Sequence, residues 1–194
     1  MCGACCHAYY VPLSGYDMWR ISRRLGIEPA EFVVAFPKEP GADFGFQLCQ
    51  GGDTYELVLD KQGPFQLGQP CVFLDKQPDG VSRCGIYAER PAVCRSYPMK
   101  ATPAHVIAFR PGALCPSGAW PESEPRQPAW RAAWDALEQQ FDHYRYIVAG
   151  WNAQVASHPG REFGMDHFVA YVMGMYDKLA QSPSFAVALQ TGPG

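Results

Sequence analysis

The sequence runs to 194 residues, 47% hydrophobic and 18% charged, with 18 prolines, 19 glycines and eight cysteines. That length fits one domain with a helical appendage, and the hydrophobic share builds an ordinary core without help from a metal. A formal net charge of −3 with no run of lysine or arginine excludes a general nucleic-acid binder, and no apolar stretch reaches the roughly 18 residues of a membrane span.

The chain opens on Met1-Cys-Gly-Ala-Cys-Cys6. Trp19, Ile21 and Leu25 then put an apolar stripe on a predicted helix over 15–25, with Ser14 or Asp17 to cap its start and Gly26 suited to its end. Pro29 opens a short helix through 36. Residues 55–59 alternate in part and read as a strand, as do 70–74. Pro78-Asp79-Gly80 is a turn that returns the chain toward Cys84, and Pro91 is suited to open a helical turn carrying Cys94. A strand over 106–109 precedes a loop with Cys115. From 128 to 156, Trp130, Trp134, Leu137, Phe141, Tyr144, Ile147, Val148 and Trp151 recur in steps of three and four, the mark of a long amphipathic helix. Pro159-Gly160 breaks it, and a last helix covers 165–179. The expected fold is α+β. A small irregular, cysteine-rich metal-binding core with short strands spans 1–120, two C-terminal helices at 128–182 buttress it, and 183–194 form a flexible tail.

The N-terminus lacks the basic and apolar regions of a signal peptide, so the thiols are expected in a reducing cytoplasm. There, grouped cysteines read as metal ligands rather than disulfides. Cys2 and Cys5 make a C-x-x-C pair, a spacing that lets two sulfurs converge on one ion. Side chains of neighbouring residues diverge in most backbone conformations, so Cys5 and Cys6 are expected to serve two metals or two corners of a cluster. The candidate metal ligands are Cys2, Cys5, Cys6, Cys71, Cys84 and Cys94, with Cys115 after them. Cys49 reads as a plain buried thiol ahead of a ligand, and His7 as a neighbour of the cluster ahead of a ligand. Arg83, Arg90 and Arg95 flank the later cysteines, where guanidiniums would offset the excess negative charge of massed thiolates. Eight cysteines make two four-sulfur zinc sites by simple arithmetic. Scattered ligand order and the aromatic residues Phe73, Tyr87 and Tyr97 suit an iron–sulfur cluster instead. Zinc or iron therefore both stay open.

Three blocks carry a resemblance: Cys-Gly-Ala-Cys-Cys at 2–6, Pro-Cys-Val-Phe-Leu-Asp at 70–75, and Cys-Gly-Ile-Tyr-Ala-Glu-Arg-Pro-Ala-Val-Cys-Arg-Ser-Tyr-Pro at 84–98. In these the chain resembles the YkgJ-like cysteine-cluster family of CxxCxxCC type. The resemblance implies chelated zinc or iron, or an iron–sulfur centre, and some members of that family are associated with protein lysine methylation of flagellin. The family pattern often begins with a further cysteine three residues before the position of Cys2, ahead of the first residue here, and Cys49 is a candidate substitute. Cys115, followed by Pro116, resembles a late family cysteine.

Three classes of function follow: a chelating metal-thiolate protein, an iron–sulfur-dependent redox or protein-methylation enzyme, and a zinc-stabilised module whose 128–156 helix meets a protein partner. No residue set lifts the enzyme reading, because Asp142-His143 and Asp166-His167 lack an accompanying nucleophile and no phosphate-binding loop is present. The aromatic stripe on the long helix is expected to be core packing.

Overall fold

In the computed structural model, which describes residues 3–39, 44–102, 106–115 and 127–182, the two longest helices lie where the sequence puts them. Before them come α1 (Ala4–Ala8), a single turn that the sequence reading did not foresee, and α2 (Gly15–Leu25). Ser14, extended, accepts the Asp17 N–H (3.1 Å) and caps α2, while Gly26 closes it at φ +66°. Of the two candidate caps, Ser14 is the one used. Met18 and Ile21 are fully buried on the inner face. A Cβ on Gly15 would lie 2.7 Å from Val172 and 2.8 Å from Tyr144, so the absence of a side chain there is what lets α2 press against the C-terminal helices.

The predicted helix over 29–36 is a correction. Pro29–Glu31 makes one 3₁₀ turn, and the chain then extends into β1 (Val33–Pro37). Val33 and Val34 are β-branched and favour extended backbone. Pairing with β3 (Thr54–Leu59), in register over five facing pairs from Val33–Leu59 to Pro37–Tyr55, supplies ladder hydrogen bonds. The proline's helix-opening preference loses to that pairing. The two-residue β2 (Phe46–Gln47) lies on the other side of β3, giving an antiparallel sheet of order β1-β3-β2.

The predicted strand over 70–74 is shifted. Cys71 makes only an isolated bridge to Lys61, the chain turns at Val72-Phe73, and β4 (Leu74–Lys76) begins where the predicted strand was to end. The predicted turn at Pro78–Gly80 does return the chain: β5 (Ser82–Cys84) pairs with β4, with Leu74 opposite Cys84. Next comes α3 (Ala92–Ser96), the expected helical turn after Pro91, then β6 (Met99–Ala101), which was not expected, paired with β7 (Ile107–Phe109), which was.

α4 (Gln127–Ala156) and α5 (Met165–Ala180) match the predicted helices to within a residue. The main core draws on both halves of the chain: Leu13, Met18, Ile21, Phe32 and Leu57 pack with Tyr144, Trp151, Phe168, Val172 and Tyr176. Phe46 stacks on Phe168 with ring centroids 3.8 Å apart, and Trp151 meets Phe168 edge-on at 5.4 Å. A smaller cluster joins Met99, Ile107 and Trp130. The aromatic stripe of α4 is thus core packing, as expected. Trp151 Nε1 also donates to the Gln47 carbonyl (2.7 Å), and the Asn152 side chain accepts the Gln47 N–H (3.0 Å) and donates to Gly45 O (2.9 Å). The fold is α+β, with short antiparallel strands and C-terminal helices. Cys2 and the 183–194 tail lie outside the described residues.

Candidate metal centre

Four separate stretches deliver thiols to one region. Gly3, at φ +67°, starts α1. A Cβ there would come within 2.9 Å of Ser82 Cβ, so the glycine lets the turn that carries Cys5 and Cys6 lie directly on the β4–β5 hairpin. The Cys6 carbonyl accepts the Cys71 N–H (3.0 Å), which ties α1 to the bridge segment. Cys84 ends β5. Cys94 rides on α3, and the first N–H of that helix, Ala92, donates to both carboxylate oxygens of Asp17 (3.2 and 3.3 Å).

The five thiols are close enough to act on one another. Cys6 feels charge on Cys5, Cys71 and Cys94; Cys71 feels Cys84 and Cys5; Cys94 feels Cys71, Cys5 and Cys84. The Cys6 thiol and Cys5 share a hydrogen bond, which lowers the Cys5 pKa, with backbone N–H donors and Arg90 assisting against burial. The same bond raises Cys6, and burial adds to it. Burial pushes Cys71 up to about 11 and also raises Cys84 and Cys94. Cys5 and Cys6 share the single turn of α1, and hydrogen bonding between them is the largest influence on either thiol. No disulfide joins the described cysteines.

Of the three flanking arginines, Arg90 acts on Cys5 and Cys84. It also lies over the Tyr87 ring, 3.7 Å from the centroid. Arg83 pairs with Asp79 at the surface (3.4 Å), and Arg95 is placed among Tyr16, Asp17 and Arg20. Cys115 sits beside Tyr97, whose hydroxyl accepts the Leu114 N–H (2.8 Å). Tyr97 in turn packs near Tyr9 (ring centroids 5.8 Å), so the Cys115 segment is drawn toward the end of α1. Cys49 lies in the turn after β2, against Gly52. His7 Nδ1 is 3.1 Å from the Gly68 carbonyl. Among the described residues, no three cysteine, histidine, aspartate or glutamate side chains converge tightly enough to hold one ion as they stand.

Two residues near the thiols escaped the sequence reading in these roles. Asp17, considered there only as a helix cap, is fully buried and links α2 to α3; Arg20 bonds it (3.4 Å), pairs with Glu89, and donates to the Glu89 and Arg90 carbonyls (3.1 and 2.9 Å). An acidic residue in the first turn of α2, beside the apolar Met18, is the available signal. The other is Lys61, 4% exposed beneath α1, for which no local pattern gives a sign.

The CxxCxxCC family, described as a putative zinc- or iron-chelating domain, matches residues 1–115. No curated protein and no solved structure matches the chain. Among the described residues, no helix is long and apolar enough to cross a membrane.

Proposed function

The chain belongs to the CxxCxxCC family, and on that premise we propose that it is a metal-thiolate protein that chelates zinc or iron through Cys5, Cys6, Cys71, Cys84 and Cys94, with Cys2 and Cys115 completing the donor set. The observation that carries this reading is the gathering of five thiols from α1, the Lys61–Cys71 bridge, β5 and α3, with no disulfide among them. The donor set fits a soft thiophilic ion. The sulfurs have to close in on the ion, because as they stand no three of the described donors converge.

Zinc would supply a fixed joint between the four stretches, and an iron–sulfur centre would supply a one-electron carrier. What the chain itself does is plainer. It holds the donors grouped, places Arg90 beside Cys5 and Cys84, and lets ligation release the protons that burial keeps on Cys71, Cys84 and Cys94. Thiols kept in this state belong in a reducing compartment such as the cytoplasm. A protein partner on α4 finds little support. Tyr146, 80% exposed, is the large apolar side chain left open on that helix, and one residue does not make a docking face.

The test is elemental analysis and an absorption spectrum on protein purified without oxygen, for the unaltered chain and for Cys84→Ser and Cys94→Ser. Each substitution should lower metal content and melting temperature. Colour with acid-labile sulfide identifies an iron–sulfur centre, and a colourless zinc protein identifies a chelating or structural site. Metal content and melting unchanged in both variants would overturn the reading.

A further inference from the structure

A buried cation sits among the thiols. Lys61 is 4% exposed, and its Nζ donates to the carbonyl oxygens of Cys6 (3.0 Å) and Tyr9 (2.8 Å). The Tyr10 ring centroid is 5.9 Å from it. Among the described residues no salt bridge joins Lys61 to a carboxylate. The neighbouring Asp60 carboxylate is instead bonded to the Lys61 backbone N–H (2.7 Å). Both its carbonyl partner Cys6 and its bridge partner Cys71 carry thiols of the cluster.

A buried ammonium is costly unless paired, and two neutral carbonyls pair it only in part. With two carbonyls and, among the described residues, no carboxylate to partner it, Lys61 is therefore a cost to the metal-free fold. Ligation reverses this: four thiolates on one divalent ion leave an excess of two negative charges, by count of charges, and a fixed cation beside them offsets part of it. We propose that Lys61 is the built-in counter-charge of the thiol cluster, a positioning residue that strains the metal-free protein and strengthens metal binding. The proposal rests on the chelation reading above. The competing role is purely structural, in which Lys61 serves only to tie the Cys6 and Tyr9 carbonyls and close α1.

The two roles predict opposite signs in the metal-free protein. Lys61→Met removes charge and donor at matched length, and Lys61→Gln removes the charge but keeps a donor. Each variant and the unaltered chain are prepared metal-free under reducing conditions and melted. They are then titrated at one fixed neutral pH with zinc(II), and anaerobically with iron(II), against a chromophoric chelator. As counter-charge, Lys61 requires that at least one metal-free variant melt at or above the unaltered chain. It also requires both variants to bind metal about tenfold or more weakly, the effect of one unit charge acting over several ångströms in a partly screened interior. The proposal is overturned if both metal-free variants melt lower than the unaltered chain, or if either holds metal as tightly as it does. An unaltered chain that binds neither zinc(II) nor iron(II) removes the chelation reading itself, and Lys61's role with it.

Discussion

Asp17 is where one substitution should loosen α2 and the Cys94 turn together. Its carboxylate is fully buried, accepts the Ala92 N–H through both oxygens, receives the Ser14 hydroxyl (3.1 Å) and pairs with Arg20. Asp17→Ala strands a buried N–H at the start of α3 and half of a buried ion pair. Losing one partner of such a pair costs about 3–5 kcal/mol, and Arg20 keeps Glu89 and two carbonyls, so the low end applies: about 3 kcal/mol. For a chain of this size that lowers the melting temperature by about 6–12 °C. Asp17→Asn adds a pH test. Burial raises the Asp17 pKa against the pull of Arg20 and Arg95, so the folded chain binds this proton more tightly than the unfolded chain does. Stability through this group therefore rises as pH falls from neutral toward the ordinary carboxylate range, and Asp17→Asn lacks that gain. Urea unfolding of both variants and the unaltered chain across that range measures it. An Asp17→Ala cost under about 0.5 kcal/mol, the scale of an ordinary surface change, would refute the link between α2 and α3. A stability difference between the unaltered chain and Asp17→Asn that stays flat with pH would refute the account of the carboxylate's burial.

Other substitutions probe packing. Gly15→Ala drives a methyl into Tyr144 and Val172 and should cost about 1–3 kcal/mol in chemical denaturation; a neutral result would mean that the α2 contact is loose. Phe168→Ala removes a fully buried ring stacked on Phe46 and met edge-on by Trp151, a loss of about 3–5 kcal/mol by the same assay, and a loss below about 2 kcal/mol would contradict the packing described. Arg23→Ala breaks a 2.5 Å ion pair with Asp177, but both side chains are substantially exposed, so melting should register less than about 1 kcal/mol. A larger effect would show that short distance outweighs solvent screening there.

How far the sequence predicts the structure depends on how local the deciding physics is. Ser14, Gly26 and the turn at Pro78–Gly80 act within a few residues of chain, and each does what its residue type predicts. α4 and α5 are long enough for their apolar spacing to be read without ambiguity. Residues 33–37 are not, because β3, some twenty residues on, decides their conformation. The same limit governs the site. The cysteines announce themselves by type and spacing, and five of them come together. The placing of Cys5 and Cys6 depends on a one-turn helix that no periodicity marks. Lys61 is less visible still, since a lysine after an apolar strand reads as a surface residue until α1 is folded over it.

Trp151 and Asn152 have a consequence beyond holding α4 in place. β2 is the last strand of its sheet, and the outward N–H and C=O of Gln47 are the groups to which a strand from another molecule would add. Both are already taken by side chains of α4. The helix thus ends the sheet on that side, denying neighbouring chains a template for edge-to-edge growth, the usual route by which short antiparallel sheets aggregate. The closure of this sheet edge is therefore a property of two side chains on a helix.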